Sequence, residues 1–294
     1  MTLFRWKPAC WFRVSGIDAG LFLQGQFTND LRRLSAKPDA AIYGLWLTLK
    51  GKVLADSFIL RGPDPDEYWI GSYFSSAAII RERLESFIIA DDVTIEDLTG
   101  EVAAVTILDV SAAEREAAGV GREVVWSFAG RRDRSDAIEI GYRVADGEPT
   151  ALSGSSAPCA DVEQMERRRI AAGIPAVPAD IGPGDLPNEG GLDADAVSYT
   201  KGCYLGQEVM ARLKSMGQVR RRLLRVAGRT ETLPRVPAAL FIGARQVGEV
   251  RSVAADGTGG WIGLAMLALM HVRPDTTLAL SADGVPAVRL LDSP

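Results

Sequence analysis

Short apolar runs separated by turn residues dominate the chain. From Trp11 the pattern predicts a strand, a polar turn over Ser15 to Asp18, and a helix capped by Asp18 with Leu21, Phe22 and Leu23 on its buried side. Tyr43 to Leu60 reads as two strands about a Lys50-Gly51-Lys52 turn. Another strand follows at Tyr68 to Gly71, then a helix over roughly Ser75 to Phe87. Val102 to Val110 and Ile138 to Val144 have strand character, Ala112 to Ala118 reads as a weak helix, and Gly147 to Ser156 as a polar surface loop. Val162 to Ala172 predicts a helix with Met165, Arg169 and Ile170 spaced along one edge, stopped by Gly173 before Pro175. Pro178 to Gly191 reads as irregular loop.

Beyond Arg222 the texture changes to six short β-prone runs at close spacing, which predicts a small antiparallel barrel. The fold class expected is α+β. The expected division places an α+β region over 1–217 and the barrel over 218–294.

With 294 residues, 47% hydrophobic and 24% charged, the chain is long enough to bury two cores. A net charge of -5 argues against a protein whose main partner is a nucleic-acid backbone, so the Arg167-Arg168-Arg169 and Arg220-Arg221-Arg222 clusters read as solvated faces. The apolar stretch Trp261 to Val272 falls short of the roughly 20 residues needed to span a bilayer, and no signal peptide is indicated near the N-terminus. Membrane contact is not expected.

Cys10, Cys159 and Cys203 lie far apart, without the spacing of a disulfide framework, a zinc site or an iron-sulfur cluster site. A reducing, cytoplasmic setting is expected. The one histidine, His271, sits in an apolar run and is read as structural, which leaves no histidine relay. Gly182, Gly184, Gly190 and Gly191 lack the strand and helix order of a phosphate-binding loop.

Chemistry concentrates in Lys201-Gly202-Cys203-Tyr204-Leu205-Gly206-Gln207-Glu208. A helix is predicted over Gln207 to Lys214, with Val209, Met210 and Leu213 inward. Cys203 thus stands ahead of a helix N-terminus with Lys201 near it, a setting that favours a reactive thiolate.

This octapeptide resembles the signature of the YgfZ-type folate-binding proteins, paralogues of the glycine-cleavage T-protein. Weaker matches accompany it in order: Phe22-Leu23-Gln24-Gly25-Gln26 with Thr28 and Asp30, Gly51-Lys52-Val53-Leu54-Ala55-Asp56, Ala172-Gly173-Ile174-Pro175, and Arg212 through Gly217 to the Arg220 cluster. The resemblance implies a T-protein-like folate-binding part followed by a small barrel. It also implies a tetrahydrofolate ligand and a monomeric accessory protein that supports iron-sulfur cluster assembly or repair, including that of tRNA-modifying enzymes.

On the same basis Cys203 and Asp56 are candidate catalytic residues, with Cys203 near the folate cavity. Asp56 is also carried over as a folate contact, with Tyr43 or Trp46 as a ring wall and Arg212, Lys214 or Arg221 for the glutamate tail. Lys201, Tyr204, Gln207 and Glu208 are carried over as further ligand-binding residues. Two positions depart from relatives: Ala171 where many carry Glu, and Gly71 where the T-protein has Asn. The alternative function is a folate-dependent one-carbon (aminomethyl or methyl) transferase.

Overall fold

The computed structural model describes residues 1–34, 40–110, 123–133, 136–230 and 232–293. The weak helix expected over Ala112 to Ala118 lies outside the described residues.

Strands β1 (Thr2–Trp6) to β9 (Ala137–Arg143) form two antiparallel sheets. The first has the order β3-β4-β5-β2-β6, built from β2 (Cys10–Ser15), β3 (Ile42–Leu47), β4 (Val53–Arg61), β5 (Glu67–Ser72) and β6 (Thr94–Asp97). The second has the order β1-β7-β9-β8, with β7 (Val102–Leu108) and β8 (Trp126–Ala129). Helices α1 (Ala19–Gln26) and α2 (Ala77–Glu85) pack on the outer face of the first sheet, over Phe12, Trp46, Ile59 and Ile70. Leu21 is the exception on α1: it is 80% exposed, because only Phe22 and Leu23 turn toward the sheet. Asp18 stands at the start of α1 without capping it by its side chain; its carboxylate accepts the Asp92 N–H at 2.9 Å instead.

The inner face of the first sheet meets the second sheet. Trp11 on β2 stacks on Trp126 on β8, with ring centroids 4.3 Å apart and planes at 18°. Each ring lies on a glycine of its own sheet. A Cβ at Gly71 would stand 2.2 Å from the Trp11 ring, and one at Gly141 would stand 1.9 Å from the Trp126 ring. Gly71 is therefore fixed by packing. An asparagine there has no room beside Trp11.

The strands β1, β6 and β8 were not anticipated: β6 is exposed along most of its length and has no apolar pattern, and β8 is only four residues long. The segment expected as surface loop after Gly147 contains a single helical turn at Thr150–Ser153, where Leu152 is buried.

Helix α3 (Val162–Ala172) begins at a capping box, where the Asp161 carboxylate accepts from the Gln164 backbone and the Gln164 side chain accepts from the Asp161 backbone. It ends at Gly173 in the left-handed region, φ 71°. It joins the sheets to a six-stranded antiparallel sheet of order β11-β12-β13-β10-β15-β14, comprising β10 (Arg221–Gly228), β11 (Ala238–Ile242), β12 (Arg245–Ala255), β13 (Trp261–Ala268), β14 (Thr277–Leu278) and β15 (Val288–Leu290). Paired backbone bonds of 2.9 Å between Phe241 and Ala279 bring the first and last strands together and nearly close the barrel. Its interior is filled by Val226, Val250, Trp261, Leu267 and neighbouring apolar residues. The stretch read as core rather than membrane is strand β13. No helix among the described residues is long and apolar enough to cross a membrane.

The two tryptophan-glycine contacts carry a prediction. Gly71→Ala should lower unfolding free energy by about 1–3 kcal/mol through overpacking. Gly25→Ala, inside α1 with nothing within 4 Å of the new methyl, should be neutral or stabilising by up to about 1 kcal/mol. Urea unfolding of both variants checks the contrast, and equal effects would contradict the packing argument.

Candidate ligand-binding site

Strand alternation decides which side chains reach the space between the two sheets. On β4, Ala55, Ser57 and Ile59 face the helices, whereas Asp56, Phe58 and Leu60 face inward. On β3 the inward set is Tyr43, Leu45 and Leu47. Tyr43 and Trp46 are three residues apart and so face opposite ways. Trp46 is fully buried on the helix side, against Phe27 at 4.9 Å, and donates to Ser57 Oγ at 2.8 Å. It does not line the chamber beside Asp56, whereas Tyr43 does.

Asp56 is 4% exposed. Its Oδ1 accepts from Ser72 Oγ at 2.8 Å and Ser75 Oγ at 2.7 Å, and its Oδ2 accepts from Tyr43 Oη at 3.0 Å. The single proton of Ser75 also has Val177 O within 3.0 Å. If that hydroxyl turns to the carbonyl, it can accept from a neutral carboxyl, so the frame accommodates both protonation states. Burial raises the Asp56 pKa above the ordinary carboxylate value, while the three hydroxyls and the Arg131 charge oppose the rise.

A small chamber of about 50 Å³ opens beside this carboxylate, lined by Tyr43, Asp56, Tyr73, Arg131, Arg132 and Arg169 among others. That is room for a water or two. Arg131, Ile174 and Pro175 also line a groove of about 620 Å³ that runs between the end of α3, the loop around Gly190 to Asp195 and strand β10. The groove alone has the size of a small-molecule site. Between the two stands Arg131, with its guanidinium over the Tyr43 ring at 4.3 Å and its Nε on Asp195 at 3.0 Å.

Four arginines shape this region, of which Arg131 and Arg132 were not singled out from the sequence. Arg131 and Arg132 follow β8 directly. Arg169, expected on a solvated face, is buried and bonds Asp180 Oδ2 at 2.6 Å, Ile174 O at 2.8 Å and Ser252 Oγ at 2.9 Å, tying α3 to the barrel. Arg222 lines the groove and is exposed. A run of two arginines after an aromatic strand was the available signal for the first pair, but it lay inside a region without apolar periodicity.

The octapeptide is built differently from its sequence reading. Lys201 is buried, and its ammonium donates to the carbonyls of Gln24, Phe27 and Asn29 at 2.6, 2.6 and 3.0 Å. Burial lowers its pKa to about 8. The charge expected near Cys203 is therefore committed to the end of α1, and it anchors the motif rather than a ligand. Gly206 adopts φ 85°, and a Cβ there would stand 2.9 Å from Thr48 O. The motif thus packs backbone to backbone on the β3–β4 turn. Helix α4 (Gln207–Met216) follows, with Met210 buried.

Cys203 is exposed. The lining of neither the chamber nor the groove includes a residue from Lys201 to Lys214. Tyr204 is a core residue, 6% exposed, whose hydroxyl has no protein partner. Gln207 starts α4 half-buried, and Glu208, Arg212 and Lys214 are exposed on it, Lys214 over the Tyr199 ring at 4.1 Å. Arg221 is committed to Asp185 and Glu189 at 3.0–3.1 Å. Ala171 is exposed, and its carbonyl holds Arg225 at 2.6 Å. Among the described residues no group of His, Cys, Asp and Glu side chains is placed to hold a metal ion.

Two layered sheets, a near-closed barrel and an acid buried between the sheets place the chain in a known fold class. The structure superposes on the glycine cleavage system aminomethyltransferase T from Bartonella henselae with a TM-score of 0.78, covering 99% of this chain and 85% of that one at 18% identity. This establishes a T-protein-like fold. In sequence, the chain is 28% identical over 307 residues to the mitochondrial iron-sulfur cluster assembly factor IBA57 of Mus musculus, covering 98% of this chain and 83% of that protein. It is 30% identical over 236 residues to the Homo sapiens counterpart, covering 76% of this chain and 65% of that protein. It is 26% identical over 317 residues to the tRNA-modifying protein YgfZ of Sodalis glossinidius, covering 97% and 93%. No family model matches. The chain is thus similar along nearly its whole length to IBA57 and YgfZ proteins, on a T-protein-like fold.

The raised Asp56 pKa fixes the sign of a pH effect. A carboxyl that binds its proton more tightly folded than unfolded adds stability as pH falls toward the unfolded value of about 3.9. Urea unfolding between pH 7 and pH 4 should show the wild type gaining on Asp56→Asn as pH falls. The opposite trend would mean that the three hydroxyls outweigh burial.

Proposed function

We propose that this protein is a folate-binding accessory factor that supports the assembly or repair of iron-sulfur clusters, including those of tRNA-modifying enzymes. The observation that carries the reading is similarity along nearly the whole chain to two sets of proteins, one named for iron-sulfur cluster assembly and the other for tRNA modification. The likeness to the aminomethyltransferase concerns the fold, so it gives no separate support to a one-carbon transfer activity.

The ligand proposed is tetrahydrofolate or a derivative. The residues present fit such a ring. Asp56 Oδ2 accepts a single protein hydrogen bond and has capacity for a ring N–H. Tyr43 and Tyr73 offer aromatic surface, and Arg222 is an exposed cation on the groove for the glutamate tail. Because the chamber is small, ring binding requires Arg131 to leave the face of Tyr43 and the groove to take the rest of the molecule. Arg222 replaces Arg212, Lys214 and Arg221 as the proposed tail contact.

Cys203 serves a different step in this reading. Its exposure, away from chamber and groove, suits contact with a client or assembly protein rather than with the bound ring. Folate, the iron-sulfur client and its assembly proteins are thus the proposed partners.

Cells that lack their own counterpart of this protein supply the test. Expression of the wild type should restore a nucleoside modification made by an iron-sulfur enzyme, read by mass spectrometry of bulk tRNA. Cys203→Ala should restore little at equal protein level. Failure of the wild type would count against the function, and full restoration by Cys203→Ala would remove the thiol from it.

A further inference from the structure

The Arg132 guanidinium is 7% exposed and enclosed by aromatic rings, with its central carbon 3.7 Å from the Tyr73 ring centroid, 4.2 Å from Trp6 and 5.2 Å from Phe4. Its Nε donates to Glu139 Oε1 at 3.3 Å, a single long contact rather than the paired fork that arginine makes with a structural carboxylate. Glu139 has other donors: Tyr73 Oη at 2.7 Å, Thr106 Oγ1 at 2.6 Å and Trp6 Nε1 at 3.1 Å. The carboxylate is therefore satisfied without the arginine's remaining N–H groups. Arg132 Nη2 is buried with no hydrogen-bond partner.

That orphan donor belongs to a residue lining the same chamber as Asp56. The two come from different sheets: Asp56 lies within β4, and Arg132 follows β8. Caged by rings and held at Nε, the guanidinium cannot swing to another protein acceptor without leaving the cage. A buried donor held in this way calls for an acceptor within the chamber, from water or from the ligand that displaces it.

We propose that Arg132 is a specificity-determining residue of the chamber, donating from Nη2 to a carbonyl oxygen on the ring whose N–H groups Asp56 accepts. The chamber then selects a ring carrying both a donor and an oxo group, and rejects one in which the oxo group is replaced by a second amino group. The assignment rests on the folate reading above. For a reduced pteridine the oxygen is the 4-oxo group, and the discriminating probe is the 4-amino analogue, tetrahydroaminopterin. An amino group there would point its protons at the guanidinium.

Calorimetric titration of the full-length protein with tetrahydrofolate and with tetrahydroaminopterin, under anaerobic conditions, tests this. Arg132→Met keeps an apolar stem within the aromatic cage and leaves Glu139 its other three donors. It should weaken tetrahydrofolate binding by about 10- to 100-fold, the range for a hydrogen bond to a charged group. Binding of the 4-amino analogue should stay within about threefold, so the preference for the oxo ring disappears. If Arg132→Met does not fold, as judged by circular dichroism, Arg132→Leu is read in its place: it likewise removes the donor and should show the same loss of preference. Equal loss for both ligands, or no loss for either, would overturn the assignment while leaving folate binding intact. Failure of the wild type to bind either pteridine would overturn both.

Discussion

An ionisable carboxyl held between two sheets is the constraint on which the site depends. Burial alone would make Asp56 costly, because a charge without partners in a low-dielectric interior is among the least tolerated groups in a protein. The chain meets this cost with three hydroxyls from three places: Tyr43 on β3, Ser72 at the end of β5 and Ser75 just before α2. Ser75 also reaches Val177 O, which brings the loop after α3 to the same point. The register of β3 with β4, the turn into α2 and the path of the chain beyond α3 thus converge on one side chain. They leave one of its oxygens with spare accepting capacity toward the chamber.

The conserved geometry of a strand explains what could be read in advance. Tyr43 to Leu60 was legible as a hairpin, and Gly173 as the stop of a helix, because alternation and a left-handed stop residue leave local marks. Asp56 was singled out through the resemblance, and the fold buries it beside the chamber. The face of Trp46 was also open to reading, since a separation of three along a strand puts it opposite Tyr43. Arg131 and Arg132 were not legible, for a physical reason. Their role comes from long-range contacts with Tyr43, Tyr73, Trp6 and Asp195, and nothing in their local pattern separates them from solvated arginines. Gly71 was read as the loss of a polar group. Only the Trp11 ring on the neighbouring strand shows it as a packing requirement.

The octapeptide teaches a related lesson about motifs. Three of its residues serve to place it: Lys201 closes the end of α1, Tyr204 enters the core, and Gly206 lets the backbone approach the β3–β4 turn. The segment Gln24 to Asn29 supplies all three carbonyls for Lys201, so the two motifs that are far apart in sequence meet as one clamp. Cys203 is left exposed by this construction, with Gly202 before it and Glu208 on α4. A rigidly anchored loop that presents one thiol to solvent is consistent with a thiol used between proteins, whereas Asp56 and its arginines line an enclosed chamber, the place proposed for the small molecule.

The central claim is that the Asp56 chamber and the adjoining groove bind a reduced folate. Anaerobic calorimetry of tetrahydrofolate with the wild type and with Asp56→Ala addresses it most directly. Saturable binding to the wild type, weakened about tenfold or more in a folded Asp56→Ala variant, is the result this structure predicts. Binding of equal strength to both proteins would place the ligand elsewhere, and no binding to the wild type would contradict the folate assignment.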